Sequence, residues 1–208
     1  MEKIVHLSSE ALRGILLEKS RHPGTECVIA MPGVRKGDDF YFDMVADSGM
    51  NATYEYAWCE KDHEYVAHLS NRISEYYDIP EKELTATLVH LHPPGYNRFS
   101  GVDKGTNDFL AKEYGGAVAG LMWVDPKFRM KFWYIDEEGK EHPAKTILDD
   151  EGVRNAMPKK NLKELRQLVE MNENPELFSS EPEEKPVSFT ELFRFRKKKQ
   201  KNFHKILI

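Results

Sequence analysis

Two histidines, a serine and an aspartate lie within one short stretch of the chain, His90 to Asp103, whose sequence is HLHPPGYNRFSGVD. His90 and His92 are separated by one residue, a Pro-Pro-Gly turn follows them, and Ser100 and Asp103 come after the turn. Imidazoles and carboxylates are side chains that bind zinc. The same stretch also has an interpretation without chemistry, as a strand, a turn and a helix cap. The strand and helix predicted on either side of the turn bear on which of the two interpretations, a zinc site or a helix cap, applies.

The residues before the turn alternate as in a β-strand, and the spacing of the two histidines suits that geometry. Residues 84–93, LTATLVHLHP, predict a strand. Residues two apart on a strand point to the same face, with Cα atoms ~6.6 Å apart. His90 and His92 can therefore lean together onto one ion.

The turn and the helix after it determine whether Asp103 returns to this strand. A helix is predicted from about residue 102 to the Gly115-Gly116 pair, with Asp103 in its first turn. A turn of this length can bring Asp103 back as a third, anionic ligand, which leaves the fourth zinc position open for water, as in catalytic sites. Against this, His-x-His alone is a weak pattern. Ser-x-x-Asp is also a helix-start signature, in which Ser100 binds the backbone rather than a substrate.

The rest of the chain contains further predicted strands and helices, with no internal repeat. Residues with alternating or continuous apolar character predict strands at 3–7, 26–34, 40–46, 117–124 and 127–135. Two more helices are predicted, one capped by Ser8 or Ser9 that stops before His22, and one over about residues 61–77.

Composition limits the class of protein. The chain has 208 residues, 40% of them hydrophobic and 31% charged, with a net charge of −5. It can therefore bury a core, and the net charge argues against a global nucleic-acid binder. Its two cysteines imply no disulfide framework. The N-terminus lacks signal-peptide features, and the longest apolar run, residues 117–124, is far short of the ~20 residues that cross a bilayer. A cytoplasmic protein without a transmembrane segment is predicted.

The last third of the chain has a different character. Residues 161–170 predict an amphipathic helix. Residues 170–186 contain six acidic residues and one lysine, net −5, and read as a solvated linker. Residues 187–208 contain seven Lys or Arg and one Glu, net +6. This basic amphipathic end is interpreted as packing on the core or binding a protein partner, in preference to contacting nucleic acid or an anionic surface.

The stretch from His90 to Asp103 resembles the zinc signature of the JAB/MPN family, the JAMM metalloproteases that deconjugate ubiquitin and its relatives. That signature is His-x-His-Pro, six residues, then Ser-x-x-Asp, and it is complete here. The family also carries a glutamate at the beginning of a strand after the first helix, with a glycine seven residues on. Glu26 and Gly33 occupy those places. The resemblance covers about residues 1–150.

The resemblance implies a fold, a cofactor and a set of roles. The fold would be the α/β MPN fold, a mixed central β-sheet flanked by helices in a layered architecture like that of cytidine deaminase. Residues 1–153 would form this domain, and residues 154–208 a C-terminal extension that is α-helical and partly disordered. His90, His92 and Asp103 would bind Zn²⁺, Glu26 would act as general base and then acid, and Ser100 would donate to the developing oxyanion.

The function implied is a zinc-dependent isopeptidase or peptidase that cleaves at the C-terminal tail of a ubiquitin-like protein, by deconjugation or precursor processing. One alternative is a hydrolase that releases a small amino acid from a sulfur-carrier protein tail, and another is a non-catalytic MPN scaffold. An E1-like enzyme would act in the same pathway. The substrate groove is expected within residues 35–58. The remaining six histidines are expected not to be ligands: His6, His22, His63, His68, His142 and His204.

Overall fold

The computed structural model describes residues 2–158, apart from residues 50, 57 and 61. Within this range the chain forms nine β-strands and four α-helices. The strands are β1 (Ile4–Leu7), β2 (Cys27–Lys36), β3 (Asp39–Phe42), β4 (Thr53–Glu55), β5 (Trp58–Glu60), β6 (Leu84–Leu91), β7 (Ala117–Asp125), β8 (Lys127–Ile135) and β9 (Glu141–Leu148). The helices are α1 (Ser9–Arg21), α2 (His63–Tyr77), α3 (Gly101–Tyr114) and α4 (Asp150–Ala156), and a short 3₁₀ helix (Glu81–Glu83) leads into β6.

Seven of the strands close into a barrel in the order β1-β3-β2-β6-β7-β8-β9. β1 runs parallel to both of its neighbours, β3 and β9, and β6 runs parallel to β7. The other neighbouring strands of the barrel are antiparallel. Because each of the seven strands has a partner on both sides, the barrel has no open edge. β4 and β5 form a separate two-stranded antiparallel sheet.

The expected MPN architecture, a mixed central β-sheet flanked by helices, is therefore wrong, because the sheet closes into a barrel. The closure depends on β9, which the sequence does not predict as a strand. β9 contains Pro143, which has no N–H to donate to a ladder. Even so, β9 pairs with β8 through its first half and with β1 through its second half, and so joins the two ends of the sheet.

Local signals in the sequence are confirmed at several helix ends. The side chain of Ser8 caps α1 by accepting the N–H of Ala11 at 3.0 Å. α3 ends at Tyr114 and is capped by Gly115, whose φ of 64° lies in the left-handed region that favours glycine at a helix end. The β4–β5 hairpin and α4 are not predicted, because both are short and weakly patterned.

Both faces of the central strands are buried, each in its own apolar cluster. On β2, Ile29 packs in a cluster with Ile15 of α1, whereas its neighbour Val28 packs in a second cluster with Ile73 of α2. Leu110 of α3 belongs to this second cluster as well. The face of β2 and β6 that carries the second cluster is the one that positions the site.

Gly33 of β2 lies where the chain passes closely against β3. A Cβ at this position would overlap the carbonyl oxygen of Tyr41 and the ring of Phe42. We expect Gly33→Ala to lower the free energy of unfolding by about 1–3 kcal/mol through overpacking, as measured by urea denaturation. Gly24→Ala is the matched control, because a Cβ there meets nothing within 4 Å. Equal stability of the two variants would contradict the close approach of β2 and β3.

The C-terminal part of the chain is described only as far as residue 158. α4 spans the predicted boundary between residues 153 and 154. The predicted helix at 161–170, the acidic linker and the basic end all lie outside the described residues. Among the helices that are described, none has both the length and the apolar character needed to cross a membrane.

Candidate metal centre

β6 places the two histidines on the face that α2 and α3 cover. His90 lies opposite Val28 of β2 in the antiparallel ladder. His92 follows the last residue of β6, and its N–H donates to the carbonyl oxygen of Met122 on β7 at 2.8 Å. Both side chains are buried, and their ring centroids lie 6.2 Å apart. The prediction that the two imidazoles share one face is confirmed.

Glu26 reaches the histidines from the neighbouring strand. The β2–β6 register pairs Cys27 with Leu91, so its continuation by one residue sets Glu26 opposite His92. The Glu26 Oε1 atom lies 3.8 Å from His92 Nε2, and the side chain is buried. The Glu26 N–H donates to the carbonyl oxygen of Glu55 on β4 at 3.1 Å. The glutamate that the family resemblance indicated therefore lies beside the histidines.

Asp103 returns to the strand through the turn and α3, as predicted. Gly95 in the turn has a φ of 89°, a left-handed conformation that glycine adopts without a steric penalty. Asp103 is buried, with Oδ1 3.0 Å from His90 Nδ1 and Oδ2 3.5 Å from His92 Nε2. The carboxylate thus faces both imidazoles.

The helix-cap interpretation of Ser100 and Asp103 is confirmed as well. The Ser100 N–H donates to Asp103 Oδ2 at 2.6 Å, and the Asp103 N–H donates to Ser100 Oγ at 3.2 Å. This reciprocal pair is a capping box. Because Ser100 Oγ acts as an acceptor in the cap and the residue is exposed, its own hydroxyl proton is left to donate outwards. The metal-site and helix-cap alternatives are therefore compatible.

Glu26, His90, His92 and Asp103 form one buried group that can hold a metal ion. Each offers a ligand atom, and these atoms all lie within 4.8 Å of one another. None of the four ring nitrogens makes a hydrogen bond of regular geometry, although His90 Nδ1 lies 3.0 Å and His92 Nε2 3.5 Å from the carboxylate oxygens of Asp103. Buried polar atoms are nearly always paired. A metal ion would supply the missing partner, and the donor set of imidazoles and carboxylates fits one.

The two carboxylates of the group differ in their affinity for a proton. Burial raises the pKa of Glu26; the nearby His92 opposes this shift and the charge of Asp103 adds to it. Burial acts in the same direction on Asp103, but the imidazoles of His90 and His92 outweigh it and hold the pKa of that carboxyl well below its ordinary range. Asp103 is therefore suited to remain an anion, and Glu26 to take up and release a proton.

The other histidines whose side chains the structure describes lie outside the buried group. His6 Nδ1 lies 2.8 Å from an oxygen of Asp149, and the ring of His22 stacks on that of Tyr54 with centroids 3.8 Å apart. The buried group does not include the four other histidines whose side chains the structure describes, His6, His22, His68 and His142. His204 and the side chain of His63 lie outside the described part of the chain.

Two features near the group are absent from the sequence predictions. The β4–β5 hairpin lies largely within the segment expected to hold a groove, and its Glu55 carbonyl contacts Glu26. Lys19 is buried on α1 with its ammonium directed at the chain next to Glu26. A lysine on a helix ordinarily indicates an exposed position, so the residue type predicts the opposite of the burial that Lys19 shows.

The sequence matches no protein-family model and no curated protein. Among solved structures, the chain is similar to the solution structure of protein DSY2949 from Desulfitobacterium hafniense. The two are 17% identical, the match covers 71% of this chain and 96% of that chain, and the TM-score is 0.47. Functional assignment therefore depends on the chemistry of the buried group.

Proposed function

We propose that this chain is a zinc-dependent hydrolase that cleaves an isopeptide or peptide bond at the C-terminal tail of a ubiquitin-like protein. The observation that carries the proposal is the buried group itself, in which two buried imidazoles face the anionic Asp103, with Glu26 beside them. The resemblance of residues 90–103 to the JAMM signature supports the substrate class. We also propose that the protein acts in the cytoplasm, because its two cysteines imply no disulfide framework.

In this proposal three residues hold the ion and the fourth moves the proton. His90, His92 and Asp103 would bind Zn²⁺, which leaves a coordination position open. Zinc supplies an activated water near neutral pH and polarises a carbonyl oxygen. Glu26 would accept the proton of the attacking water and pass it to the leaving amine.

Ser100 would stabilise the developing oxyanion. Its hydroxyl is exposed beside Asp103, and the cap uses its oxygen only as an acceptor. A donor of this kind contributes roughly 10²–10³ in rate. The capping box also fixes Ser100 relative to the carboxylate of Asp103, so the donor and the ligand are oriented by the same helix start.

The β4–β5 hairpin supports an extended substrate tail beside the site. It is a two-stranded sheet, and its Glu55 carbonyl already contacts the N–H of Glu26. An extended tail that adds to this hairpin as a further strand would gain main-chain hydrogen bonds and run towards the buried group. The hairpin lies largely within the segment 35–58 in which the groove was expected.

Two alternatives differ in substrate or in catalysis. A hydrolase acting on a sulfur-carrier protein tail would use the same four residues and release a small amino acid, with an E1-like enzyme in the same pathway. A non-catalytic scaffold would not need a complete set of ligands and base. The complete group of Glu26, His90, His92 and Asp103 favours a hydrolase.

The direct test is a cleavage assay with the zinc-loaded full chain. A ubiquitin-like protein carrying an isopeptide-linked peptide, and a sulfur-carrier protein with a short C-terminal extension, are incubated separately and analysed by mass spectrometry. We expect cleavage at the end of the tail in one of them, loss of cleavage with a chelator, and recovery with added zinc. A zinc-loaded protein that cleaves neither would favour the scaffold.

A further inference from the structure

Lys19 is a buried lysine whose ammonium group is fully committed to main-chain carbonyls. Its side chain is 2% exposed, although it lies near the end of a surface helix. Its Nζ donates to the carbonyl oxygens of His22 at 3.2 Å, Thr25 at 2.8 Å and Leu91 at 3.4 Å. An ammonium has three N–H donors, so each has an acceptor. The group is therefore a three-way link between α1, the start of β2 and the end of β6.

The contact with Thr25 acts on the peptide unit that carries Glu26. The carbonyl of this unit belongs to Thr25 and accepts from Lys19, while its N–H belongs to Glu26 and donates to Glu55 at 3.1 Å. In a trans peptide the carbonyl and the N–H lie in one plane and point in opposite directions. That plane is therefore held at both ends, and Lys19 supplies one of the two contacts.

The contact with Leu91 acts in the same way on the peptide unit that carries His92. Its carbonyl belongs to Leu91 and accepts from Lys19, while its N–H belongs to His92 and donates to Met122 at 2.8 Å. One ammonium thus holds the two peptide units immediately before two members of the buried group. The Glu26 and His92 side chains leave these units with Oε1 and Nε2 only 3.8 Å apart.

We propose that Lys19 is a positioning residue of the metal centre, which sets the distance between Glu26 and His92 by linking the peptide units that carry them. This inference rests on the metal site of the proposed function. Lys19 acts through backbone contacts and binds neither ion nor substrate. Loss of a residue that orients a metal ligand from outside the coordination sphere typically lowers metal affinity 10–100-fold. Loss of Lys19 would also change the coordination geometry, because the ligand His92 would then relax independently of Glu26.

The test uses metal affinity and a spectrum, so it does not depend on turnover. Lys19→Met keeps most of the length of the unbranched side chain and removes its donors. We expect the zinc dissociation constant of the full chain, measured by competition with a chromophoric chelator, to rise about 10–100-fold. The visible absorption of the Co²⁺-substituted variant should shift relative to wild type. Lys19→Arg, which retains charge and N–H donors, should recover part of both properties.

Tyr77→Phe is the control for general loss of stability. Tyr77 is also buried, donates a hydrogen bond to Asp43, and lines a cavity with Val34 and Lys36, towards the other end of β2 from Glu26. This variant should melt at a lower temperature with wild-type zinc affinity and Co²⁺ spectrum.

The outcomes separate this inference from the proposed function. Wild-type zinc affinity and Co²⁺ spectrum in folded Lys19→Met would overturn the role of Lys19 and leave the metal site standing. If that variant does not fold, Lys19→Gln replaces it, and unchanged metal binding there would overturn the role equally. Equal losses of affinity in Tyr77→Phe and Lys19→Met would show that stability alone is responsible. Absence of zinc binding in wild type would remove both the proposed function and this inference.

Discussion

Glu26→Gln is expected to keep its fold and its zinc while losing turnover by about 10²–10⁴-fold, the usual contribution of general acid–base catalysis. The amide has nearly the shape of the carboxylate but cannot accept the proton of the attacking water. Turnover is measured on whichever tail substrate the zinc-loaded wild type cleaves, and zinc is measured on the same sample by elemental analysis.

The same variant distinguishes the two roles open to a carboxylate in this group. Glu26 offers an atom within 4.8 Å of the other ligand atoms, so it is close enough to bind the ion itself. Loss of zinc in Glu26→Gln would make Glu26 a ligand rather than the base. Turnover close to wild type with zinc retained would show that another group accepts the proton.

His92→Ala is expected to lose zinc affinity by more than the 10–100-fold that outer partners contribute, because it removes one of three direct ligands. The imidazole is buried between Glu26 and Asp103, with Nε2 3.8 Å from one carboxylate and 3.5 Å from the other. The variant would therefore leave two carboxylates close together without that imidazole between them. Zinc affinity is measured by chelator competition.

His142→Ala is the matched control for this substitution. His142 lies on β9, its Nε2 atom is 2.7 Å from an oxygen of Asp136, and it is not part of the buried group. It should bind zinc as wild type does. Similar affinities in His92→Ala and His142→Ala would remove His92 from the site.

The sequence predicts those parts of the site that depend on residues close together in the chain. Alternation in β6 is sufficient to place His90 and His92 on one face, because side chains on a strand have a period of two. Ser100 and Asp103 are three residues apart, so the helix start follows from local capping chemistry, and the length of the turn before it predicts that Asp103 returns to the strand. The sequence of residues 90–103 therefore predicts by itself that the two histidines and Asp103 lie close together.

The parts that the sequence did not predict depend on contacts between distant segments. Closure of the barrel requires β1 to pair with β9, and strand alternation carries no information about which distant strands pair. Glu26 came from the family resemblance, since only the register of β2 against β6 sets it opposite His92. Lys19 has no local signal, because its acceptors at Thr25 and Leu91 are brought together by the fold.

The metal content of the wild-type protein tests the central claim most directly. The full chain, purified without chelators, supplied with zinc and then freed of unbound metal, is analysed for metal by mass spectrometry. With His90, His92 and Asp103 as ligands, we expect about one zinc per chain. A protein that is folded and retains no zinc or other divalent metal would contradict the account, because the buried imidazoles would then need a different partner.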